Sequence, residues 1–487
     1  MDTTSESSQV QNQQLLPAKL RSEKKTRFFS VVQTWAKDVQ ILSPKMFVAI
    51  LAFFHGLNDL QSLATTLYAK QTLGLKPHEI TFYYGLATVH FSLKPICGYF
   101  LDRVMRVIQN AKLIILFTSI AKLINFSLLA SRSLTPFTFY LLIFFNSFAY
   151  VIENIIGEYL MVLETKRLNR QNGEKNNQLP VYFGSRAFGS LIGAFFGGRF
   201  IANGANTNAY LICSYFPIVL VGILFFYKEP PYVLSERKSF KEELQSMKDL
   251  LSRDKVMTMM IFVILINMQP NFDQLTMFYF TEKLNFSTEM LANFQAFGTM
   301  CYIIGLVSYS MFFRHVSPQK FFLITNFMLW GINLTFLMVV LQINARFGIN
   351  NTFFCLFSTG FYYLVAEMNF MPILTVWCAL CPDSLEATSI TLFTGLINLS
   401  NNFSSYIGSF IMKMINFTAN DYSLMWLSVI IQNFYLLLVI IGLFFIEFPN
   451  SELSKRNLKS TKKNSEQDIS LSSSNKNDTK PLEVQVD

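Results

Sequence analysis

The chain contains about a dozen apolar stretches between Met46 and Phe448, each near the length that crosses a lipid bilayer. A hydrocarbon core about 30 Å thick requires roughly 20 apolar residues of helix. The stretches 47–69, 112–131 and 424–446 meet that requirement. Transmembrane β-barrels show alternating segments of about 10 residues instead, whereas these stretches are continuously apolar. The pattern predicts an all-α integral membrane protein with about twelve transmembrane helices.

The predicted spans form two groups of six. The charged segment 228–255 separates them and carries seven basic residues. We therefore predict a cytosolic linker between an N-terminal six-helix half, residues 46–227, and a C-terminal six-helix half, residues 256–447. Residues 1–45 form a polar cytosolic tail. Residues 448–487 are too polar to bury a core, so we expect a disordered cytosolic tail.

The net charge of +9 is distributed as in a membrane protein. Basic residues cluster after span two (Arg103, Arg106 and Lys112), after span four and in the linker. The loops on the opposite side of the membrane carry few basic residues. This asymmetry is the positive-inside pattern and predicts that both termini lie in the cytosol. Nucleic-acid binding is not expected, because these basic residues form no surface with interleaved aromatic side chains.

Three glycosylation sequons support this orientation. They begin at Asn285, Asn350 and Asn416, in loops predicted to lie outside the cytosol. We therefore predict a glycoprotein of the plasma membrane.

An internal repeat relates the two halves. A shift of 211 residues places Leu73-Gly-Leu on Leu284-Asn-Phe without a gap. Two repeated six-helix halves with a substrate site at the bilayer midplane characterise the major facilitator superfamily. The run Gly98-Tyr-Phe-Leu-Asp102-Arg103 resembles the loop motif of that superfamily between spans two and three. The resemblance implies a gating role for Gly98, Asp102 and Arg103, although a basic cytosolic loop with one incidental acid is the alternative.

Span five carries glycines at 189, 193 and 197, which give two overlapping GxxxG steps on one helical face. Such steps bring helix backbones close together in membranes. We interpret them as packing positions rather than as substrate contacts.

Signatures of soluble enzymes are missing from the sequence. It contains no Walker A, HExxH or GxSxG motif, and no GxGxxG after a predicted strand. We therefore expect no enzymatic activity, no cofactor and no metal site. Any transport is then driven by a gradient.

Three blocks of residues resemble the folate-biopterin transporter family of the major facilitator superfamily. The first combines Leu73-Gly-Leu-Lys-Pro77 with Lys94-Pro95-Ile-Cys-Gly98. The second contains Gln269-Pro270 and Met277-Phe-Tyr-Phe280. The third contains Cys381-Pro382, Glu386-Ala-Thr388 and Asn398. This resemblance implies a monomeric secondary transporter in the lipid bilayer that carries folates or pterins, coupled to protons.

Ionisable residues inside predicted spans are the candidate functional residues. Inserting one at the centre of a membrane helix costs about 2.5–3.5 kcal/mol of free energy, so such a residue is taken as functional by default. Asp59 lies near the middle of span one, and His55 is one turn earlier on the same predicted face. We expect this pair to bind and release a proton. Asp273 on span seven is expected to line the same cavity from the other half. The alternative for Asp59 is a hydrogen bond to a neighbouring helix.

Further candidates lie nearer the cytosolic side. Glu153 and Arg186 are placed on spans four and five, where a static ion pair is as compatible with the sequence as a substrate site. Lys94 lies near the end of span two, and either Lys94 or Arg186 is suited to hold the anionic tail of a folate. A carboxylate can hold the amino-amide edge of a pterin, so Asp59 and Asp273 are expected to divide coupling and edge recognition. Tyr279 is a candidate for stacking on the ring.

Two other functions remain open from the sequence. The same fold could carry another organic anion or a nucleoside-like solute. A receptor or scaffold that does not transport is the alternative of another class, which ionisable residues in both halves make less favoured.

Overall fold

The computed structural model describes residues 42–108, 110–131, 134–172, 179–202, 207–229, 242, 245, 248–249, 251–313, 316–380, 386–417 and 421–446. The predicted tails and most of the predicted linker lie outside these residues, so the predicted domain boundaries stay predictions.

The described residues are nearly all helical, and their helices group into twelve consecutive spans. The first six spans contain these helices: Pro44–Leu57 and Leu60–Leu67 (one), Pro77–Ala87 and Lys94–Ile108 (two), Ala111–Leu129 (three), Pro136–Asn172 (four), Leu179–Ala202 (five) and Thr207–Phe226 (six). The last six contain Asp254–Asn267 and Asp273–Phe278 (seven), Thr288–Ser308 (eight), Pro318–Val340 (nine), Asn351–Leu380 (ten), Glu386–Met414 (eleven) and Met425–Leu443 (twelve). Within the described residues, seven spans are long and apolar enough to cross a bilayer: one, three, four, six, eight, nine and twelve.

The predicted repeat is confirmed in the local backbone geometry. Spans one and seven both end in a π-helical turn, Tyr68–Thr72 and Tyr279–Lys283, and these turns are 211 positions apart. A left-handed residue follows each turn at equivalent positions, Gly74 with φ +66° and Asn285 with φ +55°. Glycine and asparagine are the residues that adopt this conformation most easily. The two segments therefore share one backbone design despite their faint sequence identity.

The chain divides into two compact units. The first contains residues 1–68 and 96–235, and the second contains residues 69–95 and 236–487. The segment 69–95 thus packs with the second unit, although it lies within the first predicted half.

Span five packs directly on the backbone of span one in the first unit. A methyl group added to Gly193 would lie 2.9 Å from the carbonyl oxygen of Leu57, and one added to Gly197 would lie 2.7 Å from that of Leu60. Gly189 faces span one one turn earlier in the same way. This geometry confirms that the GxxxG steps are packing positions.

Each unit has its own core. In the first unit, Tyr68 stacks on Phe139 with 4.9 Å between ring centroids. In the second unit, the aliphatic side chains of Leu329, Val365, Leu436 and Ile440 form a buried cluster contributed by spans nine, ten and twelve.

Candidate functional site

Span one is interrupted where its acid lies. The first helix of the span ends at Leu57 and the next begins at Leu60, so Asn58 and Asp59 form a turn within the span. Asp59 is exposed, yet surrounding protein desolvates its carboxylate, which bonds to Ser190 and lies in the electrostatic field of Arg186. Asp59 therefore lies at the turn of span one, within the electrostatic field of a cation.

Span seven is interrupted at the corresponding place. Its first helix ends at Asn267 and its second begins at Asp273, with Pro270 between them. Proline lacks a backbone N–H and breaks a helix. The side chain of Gln432 donates to the freed carbonyl oxygen of Pro270 at 3.0 Å, and the Ser404 hydroxyl donates to that of Gln269. Side chains of the second unit thus supply hydrogen bonds to the backbone carbonyl groups at the break. Backbone polar groups inside a membrane need such partners, because the lipid provides none.

Asp273 lies at the start of the helix that follows this break. Its backbone N–H donates to the Asn271 side chain at 2.9 Å. Asp273 is exposed by its accessible surface, although nearby protein atoms reduce the hydration of its carboxylate. The charge of this carboxylate also influences the Tyr362 phenol of span ten. Tyr362 was missed from the sequence, because nothing local distinguishes it from other aromatic residues of an apolar span. Asp59 and Asp273 belong to different units, so their sharing one cavity stays a prediction.

A buried charge cluster lies behind the break of span one. The Glu153 carboxylate on span four is fully buried and accepts a hydrogen bond from the Lys122 ammonium of span three at 2.7 Å. Its other oxygen accepts from the hydroxyls of Thr118 at 2.9 Å and Ser119 at 3.4 Å. Lys122 was missed by sequence reasoning, although a lysine in the middle of an apolar span was a readable signal.

His55 belongs to this cluster rather than to Asp59. Its Nε2 lies 3.5 Å from Oε2 of Glu153, and its ring packs against Tyr150 with 4.8 Å between centroids. His55 is 1% exposed, whereas Asp59 is exposed. The helix ends at Leu57, between the two residues, and a shared proton site of His55 and Asp59 stays a prediction.

Arg186 of span five is half-buried. The electrostatic field of its guanidinium reaches both Asp59 and His55. The structure therefore brings four predicted residues, His55, Asp59, Glu153 and Arg186, into one region of the first unit. The Glu153 ion pair that the structure shows is with Lys122.

Tyr279 lies within an aromatic cluster in the second unit. It is buried and packs edge-on against Tyr422 and Phe336, with 5.6 and 6.3 Å between ring centroids. Beside this cluster, Lys70 forms an ion pair with Glu282 at 2.9 Å. A stacking role for Tyr279 stays a prediction, and its observed contacts are those of a core residue.

Lys94 is buried at the start of the second helix of span two. Its ammonium donates to the Thr394 hydroxyl of span eleven at 3.3 Å, and both residues belong to the second unit. Its predicted role in anion binding stays a prediction.

The three predicted gating residues lie inside helix Lys94–Ile108 rather than in the connecting loop. The Arg103 guanidinium donates to the Tyr99 hydroxyl and stacks over its ring at 4.7 Å. The Asp102 side chain lies outside the described part of the structure. Span two is thus longer than its apolar pattern suggests, because its last turns are amphipathic, and gating by Gly98, Asp102 and Arg103 stays a prediction.

The model of the BT1 family matches residues 55–468. Similar proteins include Folate transporter 2 of Plasmodium falciparum, 23% identical over 80% of this chain and 86% of that protein. The Folate-biopterin transporter of Synechocystis is 23% identical over 80% of this chain and 79% of that protein.

Solved structures with a similar fold include two transporters. The nucleoside transporter NupG has a TM-score of 0.61 at 16% identity, with 83% of this chain and 99% of that chain covered. A D-xylose-proton symporter has a TM-score of 0.61 at 12% identity, with 84% of this chain and 99% of that chain covered. These likenesses concern the fold alone and confirm the predicted major facilitator architecture. Because the family match covers most of its length, the chain belongs to the BT1 family of multi-pass membrane transporters.

Proposed function

We propose that this protein is a secondary active transporter that moves folates or pterins by alternating access, coupled to protons. The observation that supports the proposal best is the paired interruption of spans one and seven, each with an exposed carboxylate at the break. Interrupted helices in corresponding positions of two repeated halves are the strongest structural pointer to a transport site. The names of similar proteins, folate and folate-biopterin transporters, supply the substrate class.

The two exposed acids have different surroundings, and we assign them different roles. The charge of Asp273 influences the Tyr362 phenol, and a carboxylate is suited to hold the amino-amide edge of a pterin by two hydrogen bonds. The electrostatic field of Arg186 reaches Asp59, and opposite charges attract each other. We therefore assign Asp59 to balancing Arg186, whose guanidinium is suited to bind the carboxylate tail of a folate.

The test is uptake of labelled folic acid and biopterin by proteoliposomes, with and without an inward proton gradient. We expect gradient-dependent accumulation by the wild-type protein. Asp273→Asn is expected to lower the uptake rate at low substrate concentration by at least about tenfold, because a charged acceptor is lost.

Asp254→Asn is the matched control on the same span. Asp254 is an exposed acid in the first turn of span seven, away from the break, and this variant is expected to transport like the wild type. Folded wild-type protein that takes up neither compound would overturn the proposed substrate class. Competition by nucleosides or other organic anions would then identify the alternative.

We also propose that the three sequon loops face the outside of the plasma membrane and that both termini are cytosolic. Asn285, Asn350 and Asn416 are exposed and lie between consecutive helices of the second unit. We expect each Asn→Gln variant to lose one step of glycosidase-sensitive mass in a secretory host. Protein without any such mass would contradict this orientation.

A further inference from the structure

We propose that His55, Glu153 and Lys122 form an internal proton-binding site in which Lys122 and protonated His55 are alternative partners of the Glu153 carboxylate. The proposal rests on the proposed function, because it names the site that binds the coupled proton. It differs from the sequence prediction, in which Asp59 was the partner of His55.

One oxygen of Glu153 faces two nitrogen groups, of which only Lys122 forms a hydrogen bond to it. Lys122 Nζ occupies Oε2 at 2.7 Å, while His55 Nε2 lies 3.5 Å from the same atom. The longer distance lies outside the range of a good hydrogen bond. Among the described residues, neither ring nitrogen of His55 has a hydrogen-bond partner. A buried imidazole with unpartnered nitrogens beside a carboxylate oxygen is a prepared position for one proton.

The second oxygen of Glu153 is held in place. Thr118 and Ser119 donate to Oε1 from span three, one turn before Lys122. These hydroxyls orient the carboxylate, so that Oε2 faces both possible cations. Movement of a proton onto His55 therefore requires little movement of Glu153 itself.

The charges around His55 explain why the Glu153 carboxylate favours only one cationic partner at a time, either Lys122 or protonated His55. The groups that face it are Lys122 from span three, Glu153 and the Tyr150 ring from span four, and Arg186 from span five. With neutral His55, the buried Lys122 and Glu153 balance each other. A proton on His55 adds a second cation to the same buried carboxylate, and like charges so close disfavour each other.

Proton binding is consequently linked to the contact between spans three and four. The ion pair between Lys122 and Glu153 connects spans three and four. When His55 is protonated, it competes with Lys122 for the Glu153 carboxylate and weakens this connection. The cluster can thus convert protonation into a change of helix packing. Lys122 acts as a positioning residue in this scheme, and His55 accepts the proton.

The test is a titration of the histidine signals by solid-state NMR in liposomes containing the full-length protein. The chain has four histidines, so His55→Gln identifies the His55 signal. Lys122→Met removes the competing cation and is expected to move the His55 midpoint to higher pH by at least about one unit, a tenfold gain in proton affinity. Adding Glu153→Gln to Lys122→Met is expected to lower the midpoint again by about as much.

The double variant leaves no unpaired buried charge, so it protects the test against misfolding. The signal of His90, which is also buried, is the internal control and should stay unchanged. Equal His55 midpoints in the wild type, Lys122→Met and the double variant would overturn the proposal, as would a His55 that never titrates in any of them.

A transport measurement links the site to coupling. Gradient-driven accumulation of folic acid or biopterin is expected to be lost in His55→Gln and retained in His90→Gln. Full accumulation by His55→Gln would overturn the proposal. Failure of the wild type to transport either compound would overturn the proposed function instead, and the titration would still decide whether the site binds a proton.

Discussion

The contact between spans one and five predicts a steric penalty for small substitutions at a single glycine. Gly197→Ala places a methyl carbon 2.7 Å from the carbonyl oxygen and 3.1 Å from Cα of Leu60. Real Cβ atoms keep farther away, and both neighbours are backbone atoms that cannot rotate aside. Spans one and five must therefore separate or shift along each other.

The magnitude follows from a comparison on the same helix. Overpacking of a close contact costs about 1–3 kcal/mol. Alanine in place of glycine also favours the helix by roughly 1 kcal/mol. Gly184 lies in the same helix, and an added methyl there meets nothing within 4 Å. Helix propensity affects both variants alike. The free energy of unfolding of Gly197→Ala should therefore be lower than that of Gly184→Ala by the steric cost alone, about 1–3 kcal/mol.

The assay is unfolding in mixed detergent micelles, followed by the loss of helical circular dichroism. Gly184→Ala is expected to be as stable as the wild type or slightly more stable, and Gly197→Ala to be less stable. If the two variants unfold within about 0.5 kcal/mol of each other, spans one and five do not touch at Leu60 and the packing argument is wrong.

Two further predictions concern ion pairs and use the same unfolding assay. At a pH where His55 is neutral, Lys122→Met is expected to destabilise the protein by about 3–5 kcal/mol, because Glu153 is then left buried without a cation. Lys122→Met with Glu153→Leu should be close to neutral. Equal losses in both variants would mean that the two charges are not paired. Lys70→Met is expected to lower the free energy of unfolding by only about 0.5–1 kcal/mol, because the ion pair of Lys70 with Glu282 is partly exposed. Adding Glu282→Gln to Lys70→Met should lower it no further. Losses in the double variant that equal the sum of the two single variants would contradict the contact.

Much of the fold could be predicted because it follows from local patterns. A chain in lipid must satisfy its backbone within each segment, so apolar length reveals helices. The glycines at 189, 193 and 197 predicted a close packing face for the same local reason. The break in span seven also had a readable signal in Pro270. The break in span one had none, since neither Asn58 nor Asp59 prevents helix formation, and it changed the surroundings of Asp59 and His55.

The candidate site was predicted in its residues but not in their partners. The sequence indicated that His55, Asp59, Glu153 and Arg186 needed partners, because an unpaired charge in a membrane is costly. It did not indicate that Glu153 pairs with Lys122, 31 positions earlier and on another helix. Tyr362 became a candidate only through its electrostatic interaction with Asp273 in the folded chain.

The sequence by itself determined that this chain is a bundle of membrane helices with two repeated halves, because segment length, charge asymmetry and a 211-residue shift are properties of the chain alone. Only the tertiary structure decided which charges meet. The free energy of a buried charge depends on the atoms within a few ångströms of it, and those atoms come from helices that are distant in sequence.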